Sequence, residues 1–367
     1  MKLFHFFLLI LSLSIGVFLG QLDFVQTPIV EALMPGIKSE TIALEGNLND
    51  FFADETLLQK SVNSWFNSLS PQAKVGQLIM PAWTEADDLS ALIKDGTIGG
   101  FMWLGGKIRP ITSPNKVPLL IASDAEPSLL KYRFENPPFV GETADLKNPD
   151  DIQTVGRNIA VFLKYLGINL NFAPVYDQNV NQSVIGSRSF GTNPANQANQ
   201  LARVFKRQNI IPTAKHFPGH GLVTEDTHLE NATITRKLAE LPQFIAAIKQ
   251  KIPVMMVGHL AVNTPEHDTQ GQPATVSSVI MRDLLRDQLG FRGVIITDAM
   301  NMKAVSNVAD RDLKSLLAGS DIVLMPENPK KLNAQLVEIL DTNPKVLEEK
   351  IKRVLRLKLV WKLSEAQ

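Results

Sequence analysis

Short runs of apolar residues recur along the chain, and segments with the hydrophobic period of a helix lie between many of them. The apolar runs cover 75–82, 98–104, 117–123, 168–175, 210–217, 253–259, 293–297 and 321–325. The segments of helical period cover 55–70, 150–165, 195–208, 237–250, 277–289, 302–318, 329–341 and 344–362. Strands that are apolar along their whole length, each followed by a helix, are typical of a parallel sheet covered on both faces. Eight such runs predict an α/β fold of the (β/α)8 TIM-barrel type, irregular where the 105–116 crossover between strands 2 and 3 is too short for a full helix.

The first fifty residues do not follow this pattern. Met1-Lys2 precedes an apolar run from Leu3 to Leu19. Such a run is typical of a secretory signal peptide or an N-terminal membrane anchor, and no clear small-residue cleavage site decides between them. We expect residues 1–20 to be the signal peptide or anchor, 21–50 a linker, and 51–367 a single catalytic domain. The protein is accordingly expected to be exported, and to be periplasmic, extracellular or attached to the membrane.

Composition excludes several classes of protein. The chain has 367 residues, of which 44% are hydrophobic, so it can bury a large core. Its 37 Lys and Arg balance 37 Asp and Glu, so nothing in the charge indicates nucleic acid as a partner. The absence of cysteine excludes disulfides, thiolate catalysis and cysteine-ligated zinc. We expect a monomer.

Polar side chains stand where the predicted strands end. Asp124 follows strand 3, Asp177 strand 4, Lys215-His216 end strand 5, His259 ends strand 6 and Asp298 follows strand 7. Active sites of such barrels form at the carboxyl ends of the strands. Any one of these groups alone is more often a structural polar residue, but a role in stability would not confine five of them to one end of the barrel.

The stretch 214–230, AKHFPGHGLVTEDTHLE, holds three of the six histidines. A zinc site built from His216, His220, His228 and His259 is one alternative, but the spacings do not match the HExxH pattern of a helix. A dinucleotide site is excluded more firmly, because 293–299 contains no GxGxxG. No metal and no organic cofactor are therefore expected.

Two-group chemistry on a glycoside explains these residues better. Asp298 ends an apolar strand, which suits a rigidly held carboxylate nucleophile. Asp226 lies two residues from His228, where it would orient the imidazole and favour its cationic form. His228 would then donate a proton to the leaving oxygen and afterwards deprotonate water.

These residues stand in motifs that resemble family 3 glycoside hydrolases, in the single-domain β-N-acetylglucosaminidase branch. The resemblance covers roughly residues 65–335. It rests on LS at 69–70, VGQLIM at 75–80, NFAPVYD at 171–177, IGSRSFG at 185–191, KHFPGHG at 215–221, DTH at 226–228 and GFRGVI…TD at 290–298. The resemblance implies a TIM barrel that hydrolyses β-linked GlcNAc, from peptidoglycan fragments or related glycans, without a cofactor.

The same resemblance implies a role for each matched residue. Asp298 would be the nucleophile, and His228 the acid/base with Asp226 as its partner. The terminal sugar would be held by a set of polar side chains, namely Asp124, Arg188, Lys215 and His216. A further arginine of the branch aligns with Tyr132, or with Arg133 if the register slips by one residue.

The loop after Asp124 departs from the branch, which usually has Glu-Gly-Gly-Arg and then a further Arg. Here residues 124–133 read DAEPSLLKYR, so both glycines and the first arginine are replaced. The function therefore stays open between a β-N-acetylglucosaminidase and three alternatives. These are a non-catalytic glycan-binding barrel, a β-GlcNAc phosphorylase and a β-glucosidase variant.

Overall fold

The structure, a computed structural model, describes residues 56–84, 88–105, 117–180, 182–223, 232–235 and 237–361. These residues fall in one compact unit. The predicted signal or anchor (1–20), the linker (21–50), most of the 105–116 crossover, Asp226 and His228 lie outside the described residues. Within the described ranges, no helix has both the length and the apolar character needed to cross a bilayer.

The helices follow the predicted segments closely. They are α1 Thr56–Ser68, α2 Pro71–Gly76, α3 Ser90–Lys94, α4 Leu130–Arg133, α5 Pro149–Tyr165, α6 Ala195–Arg207, α7 Leu241–Lys249, α8 Val279–Gln288 (π-type), α9 Arg311–Ala318, α10 Pro329–Thr342 and α11 Lys345–Val360. Both α5 and α10 begin at an Asn-Pro pair. Asn148 accepts the Asp151 N–H at 2.8 Å and Asn328 accepts the Lys331 N–H at 2.9 Å, which satisfies amides that a helix start leaves unpaired.

The strands are short, and those of the main sheet are almost entirely buried. They are β1 Ile79–Met80, β2 Ala82–Trp83, β3 Gly100–Trp103, β4 Leu120–Ser123, β5 Leu170–Asn171, β6 Ile211–Phe217, β7 Ala232–Ile234, β8 Val254–Val257, β9 Leu260–Val262, β10 Val294–Thr297 and β11 Val323–Leu324. Seven of them form a curled parallel sheet in the order β2-β3-β4-β5-β6-β8-β10. The chain is therefore an α/β protein whose main sheet is all parallel, as the apolar runs predicted.

The first predicted strand is divided at Pro81. Its first half, β1, pairs with β11, whereas its second half, β2, pairs with β3. Pro81 has no N–H to donate, but its carbonyl accepts the Met102 N–H at 2.9 Å. β10 meets the chain just before β11 through a single isolated bridge, from Ile296 to Ile322. The continuous sheet therefore has seven strands. The closed eight-stranded barrel stays a prediction.

Several element boundaries differ from those predicted, and three of the differences have a clear local cause. The first strand begins at Ile79 rather than at 75, because Ser70 caps α2 through the Ala73 N–H at 3.2 Å and α2 includes Val75 and Gly76. Helix α7 begins at Leu241 rather than at 237, because Pro242 is tolerated only in the first turn. Helix α9 begins at Arg311 rather than at 302, because Asp310 adopts a left-handed φ of 49°.

Candidate active site

The carboxyl ends of the parallel strands bring the predicted residues to one end of the sheet. Several of these residues line a cleft with about 250 Å³ of empty space, including the part open to solvent. The cleft is lined by Val184, Arg188, His216, His220, Gly258, His259 and Asp298. Of the polar residues singled out in the sequence, Arg188, His216, His259 and Asp298 therefore share one cleft.

Asp298 follows β10 directly and is half-buried. Its own N–H donates to the Val257 carbonyl at 2.8 Å, and the Ala299 N–H donates to its Oδ1 at 2.8 Å. Burial raises the pKa of Asp298, but the facing His259 and His216, the Ala299 amide and Lys215 lower it by more, to about 2. The carboxylate is thus ionised at any pH near neutrality, as a nucleophile must be.

His259 fixes the chain beside Asp298. Its Nε2 lies 2.9 Å from the Ala299 carbonyl and its Nδ1 lies 2.8 Å from Thr275 Oγ1. Because a carbonyl only accepts, Nε2 carries a proton and donates it. The buried ring therefore holds Ala299 through its carbonyl, while the N–H of the same residue donates to the Asp298 carboxylate.

Four charged side chains form a cluster next to the cleft. Lys215 Nζ lies 2.6 Å from Asp124 Oδ1 and 2.6 Å from Glu126 Oε1. Arg188 binds Glu126 with two bonds, Nε to Oε2 at 2.9 Å and Nη2 to Oε1 at 2.8 Å. The Lys215 and Glu126 side chains are only 2% and 1% exposed, so this is a buried network with Asp124 and Arg188 nearer its rim.

The charges in this cluster stabilise one another. Burial raises the pKa of the Glu126 carboxyl, but Arg188 and Lys215 hold it well below its usual range. Burial lowers the pKa of Lys215, but Asp124 and Glu126 raise it by more. Glu126 and Lys215 are therefore both charged at neutral pH, and the cluster can present fixed donors and acceptors to the hydroxyls of a sugar.

Arg133 lies at the edge of this cluster. Its Nη2 is 3.8 Å from Asp124 Oδ2, and its side chain is 41% exposed. The neighbouring Tyr132 is 74% exposed. The structure thus places Arg133 beside the sugar-binding candidate Asp124.

The unusual loop after Asp124 is tied to the turn that carries Arg188. Ser128 Oγ donates to the Ser187 carbonyl at 2.7 Å and accepts the Thr143 N–H at 2.8 Å. Ser128 stands where the branch has its second glycine, so its hydroxyl supplies bonds that glycine lacks. The altered loop is therefore firmly connected to the Arg188 turn.

His216 is oriented by Asp177. His216 Nδ1 lies 2.6 Å from Asp177 Oδ2, and the same carboxylate accepts the His216 N–H. Burial raises the pKa of Asp177, but the His216 ring and the hydrogen bonds lower it by more. With Nδ1 held by this carboxylate, Nε2 is the ring nitrogen left for the cleft.

Two further titratable groups, His220 and Glu240, lie in or against the loop that follows β6. His220 Nε2 is buried without a hydrogen-bond partner in the described part of the chain, and burial lowers the pKa of His220 to about 4. Burial and the nearby Asp177 raise the pKa of Glu240 to about 8. His220 is therefore a neutral ring in the cleft wall.

The candidate acid/base pair, Asp226 and His228, lies outside the described residues, so its roles stay predictions. Within the described ranges, no group of three or more histidine, cysteine, aspartate or glutamate side chains has a metal-binding arrangement.

Sequence reasoning missed Glu126 and Glu240 as site residues. Glu126 had a signal, since it lies two residues after Asp124 in the same strand exit. Glu240 had none, because it stands at the start of a helix and meets its partners only in the folded chain.

Acid should remove stability through Asp298. Its folded pKa of about 2 is below the usual 3.8, so its contribution is fully present above pH 4 and is lost as the pH falls towards 2. This group alone should lower the unfolding free energy by about 2 kcal/mol between pH 5 and pH 2. Urea unfolding of the wild type and of Asp298→Asn at both pH values measures it. An equal loss in both proteins would contradict the prediction.

Comparisons with known proteins agree with these observations. The sequence profile of the glycosyl hydrolase family 3 N-terminal domain matches residues 71–357. A β-hexosaminidase from Nitrosomonas eutropha is 32% identical over 255 residues, which are 64% of this chain and 72% of that protein.

Two solved structures are similar to the fold. A family 3 β-N-acetylglucosaminidase from Paenibacillus sp. superposes with a TM-score of 0.72 and 29% identity, over 81% of this chain and 63% of that one. The β-glucoside phosphorylase BglX superposes with a TM-score of 0.77 and 23% identity, over 85% of this chain and 62% of that one. This chain spans less than two thirds of either structure, and the likeness to the phosphorylase shows the fold alone.

Proposed function

Because the chain belongs to glycosyl hydrolase family 3, we propose that it is a retaining, exo-acting β-N-acetylglucosaminidase. The prediction of a glycoside hydrolase is confirmed by the family match and by the β-hexosaminidase relative. The observation that carries the finer proposal is the ionised Asp298 carboxylate in the same cleft as Arg188 and His216. The scaffold proposed for this site is the closed (β/α)8 barrel that the eight apolar runs predicted.

In the first half-reaction, an Asp298 oxygen attacks the anomeric carbon of the terminal sugar. A bond from Asp298 to that carbon forms as the bond to the leaving oxygen breaks, and His228 gives its proton to that oxygen. In the second half-reaction, water gives a proton to His228 and attacks the same carbon, which releases Asp298. Two inversions return the β configuration. Asp226 is proposed to orient His228 throughout.

The sugar is proposed to be held by the charged cluster. Arg188, Lys215, Asp124 and the Nε2 of His216 offer both donors and acceptors, which suits a ring with several hydroxyls. Arg133, which lies beside Asp124, is proposed to contact the outer edge of the same ring. The proposed substrates are peptidoglycan fragments or related glycans with a terminal β-linked GlcNAc.

Phosphorolysis is the second candidate, because a histidine acid/base adds no second carboxylate charge to repel an incoming phosphate. The charges near the cleft favour water. Lys215 and Arg188 are both bonded to carboxylates, and Asp298 itself is negative, so an incoming phosphate would meet cations that are already neutralised.

Product analysis tests both proposals. The protein would be incubated with β-GlcNAc, β-glucoside and muropeptide substrates, each with and without inorganic phosphate. We expect free GlcNAc from the first and third substrates at a rate that phosphate does not change. GlcNAc-1-phosphate would identify a phosphorylase, a faster β-glucoside reaction a β-glucosidase, and saturable binding without turnover of any substrate a glycan-binding protein.

A further inference from the structure

Glu240 has a buried side-chain carboxyl group that joins two segments of backbone near the cleft. It stands immediately before α7, and 3% of its surface is exposed. Its Oε1 accepts the Gln178 N–H at 2.6 Å, and its Oε2 accepts the Gly221 N–H at 2.9 Å and the Leu222 N–H at 3.2 Å. One side chain therefore fixes the loop after β6 to the segment that follows β5.

A second carboxylate, Asp177, holds the part of the loop that comes first. It accepts the N–H of His216 at 3.0 and 3.1 Å and the N–H of His220 at 2.9 Å. Between His216 and Leu222, Asp177 and Glu240 therefore accept four backbone amides, those of His216, His220, Gly221 and Leu222.

Two glycines allow this close approach. Gly219 has a φ of 128°, and a Cβ there would lie 2.5 Å from the Glu240 Cβ. A Cβ at Gly221 would lie 1.9 Å from the Gln178 carbonyl oxygen. A larger residue at either position would push the loop away from its anchors.

We propose that Glu240 is the positioning residue of the acid/base step. By holding Gly221 and Leu222, it fixes the origin of the segment that carries Asp226 and His228, which stand four and six residues beyond Leu222. Glu240 does not line the cleft, so it acts through the loop and not on the sugar. This inference rests on the proposed function, since it assigns a task to the same site.

Loss of this anchor should damage proton transfer more than sugar binding. Asp298, Lys215 and His216 have their own bonds, none of which involves Glu240. A displacement of about 1 Å in a group that transfers a proton can lower the rate by about 10²-fold. Glu240→Ala should therefore behave as an enzyme with a misplaced acid and an intact nucleophile.

Two substrates separate these effects. A 2,4-dinitrophenyl β-GlcNAc loses its leaving group without a proton, whereas a β-GlcNAc with an alkyl leaving group needs one. In Glu240→Ala, kcat/KM should fall by about 10²-fold for the alkyl glycoside and by less than about 5-fold for the dinitrophenyl glycoside. Glu240→Gln keeps one acceptor oxygen and should recover part of the loss. Equal losses on both substrates, or none, would overturn the inference.

Asp312→Asn is the matched control. Asp312 is also a buried carboxylate that accepts a loop amide, the Glu327 N–H at 2.9 Å, and it lies outside the proposed machinery. Its substitution should leave the ratio of the two kcat/KM values unchanged. A change like that of Glu240→Ala would mean that any weakened loop gives the effect, which overturns the assignment to Glu240.

Hydrogen exchange tests the anchor without relying on activity. Glu240→Ala should raise amide exchange in a peptide that covers 221–231 and leave a peptide within β6 unchanged. Unchanged exchange in 221–231 would overturn the inference. A wild type that hydrolyses neither substrate would instead overturn the proposed function, so the two failures are distinguishable.

Discussion

Replacing Asp298 by alanine is expected to abolish hydrolysis of p-nitrophenyl β-GlcNAc. The variant loses the oxygen that is proposed to form the bond to the anomeric carbon, and removal of a nucleophile of this kind lowers kcat by about 10⁴-fold or more. The cleft should keep its shape, because neither the hydrogen bond from the residue 298 N–H to Val257 nor the one from His259 to the Ala299 carbonyl uses the Asp298 side chain. Release of p-nitrophenol under saturating substrate measures the effect.

Two comparisons make this result specific. Asp298→Asn keeps the side-chain volume without the negative charge and should be inactive too. Mass spectrometry of the wild type with a slowly turned-over 2-deoxy-2-fluoro glycoside should find a covalent adduct on the peptide that contains Asp298. A fully active Asp298→Ala, or an adduct on another residue, would sink the nucleophile assignment.

Replacing Glu126 by glutamine is expected to lower both stability and substrate affinity. The change removes the carboxylate that Arg188 and Lys215 share in a buried cluster, so Arg188 loses its carboxylate partner while Lys215 keeps Asp124. Breaking one partner of a buried ion pair costs about 3–5 kcal/mol, because the remaining charge stays unsolvated. Urea unfolding at pH 7 measures the loss, and KM for p-nitrophenyl β-GlcNAc should rise because the two donors lose their fixed positions.

Glu142→Gln is the control for this prediction. Glu142 pairs with Lys131 at 2.8 Å, a distance like those in the cluster, but the two side chains are 32% and 55% exposed. Exposed pairs of this kind contribute about 0–1 kcal/mol, so the control should be nearly as stable as the wild type. If the two variants lost equal stability, burial would not be what makes the Glu126 cluster strong.

The two predictions concern different parts of the candidate site. Asp298 is held by local bonds at the end of a single strand, so its loss should change chemistry and spare the fold. Glu126 connects the loop after β4 with the Arg188 turn and with β6, so its loss should affect both. The outcome of each variant therefore shows which part of the site acts on the bond and which holds the sugar.

The sequence by itself determined the elements and most of the candidate site. Apolar runs gave the positions of the strands because a strand in a parallel sheet is buried on both faces, and this is visible locally. The placement of Asp298, Lys215 and His216 followed from the same pattern, since the carboxyl ends of parallel strands meet. The boundaries set by the Ser70 cap, Pro81, Pro242 and the left-handed Asp310 were missed.

Only the tertiary structure decided how the charges are paired. Glu126 meets Arg188, and Glu240 meets Gln178, across 62 residues of sequence in each case. Such pairs depend on the curl of the sheet and on loop geometry. The hydrophobic periodicity of the sequence does not show either of these. The stretch 214–230 shows the difference: its histidines and glycines marked it as functional from the sequence, whereas its anchors, Asp177 and Glu240, lie elsewhere in the chain and reach it only after folding.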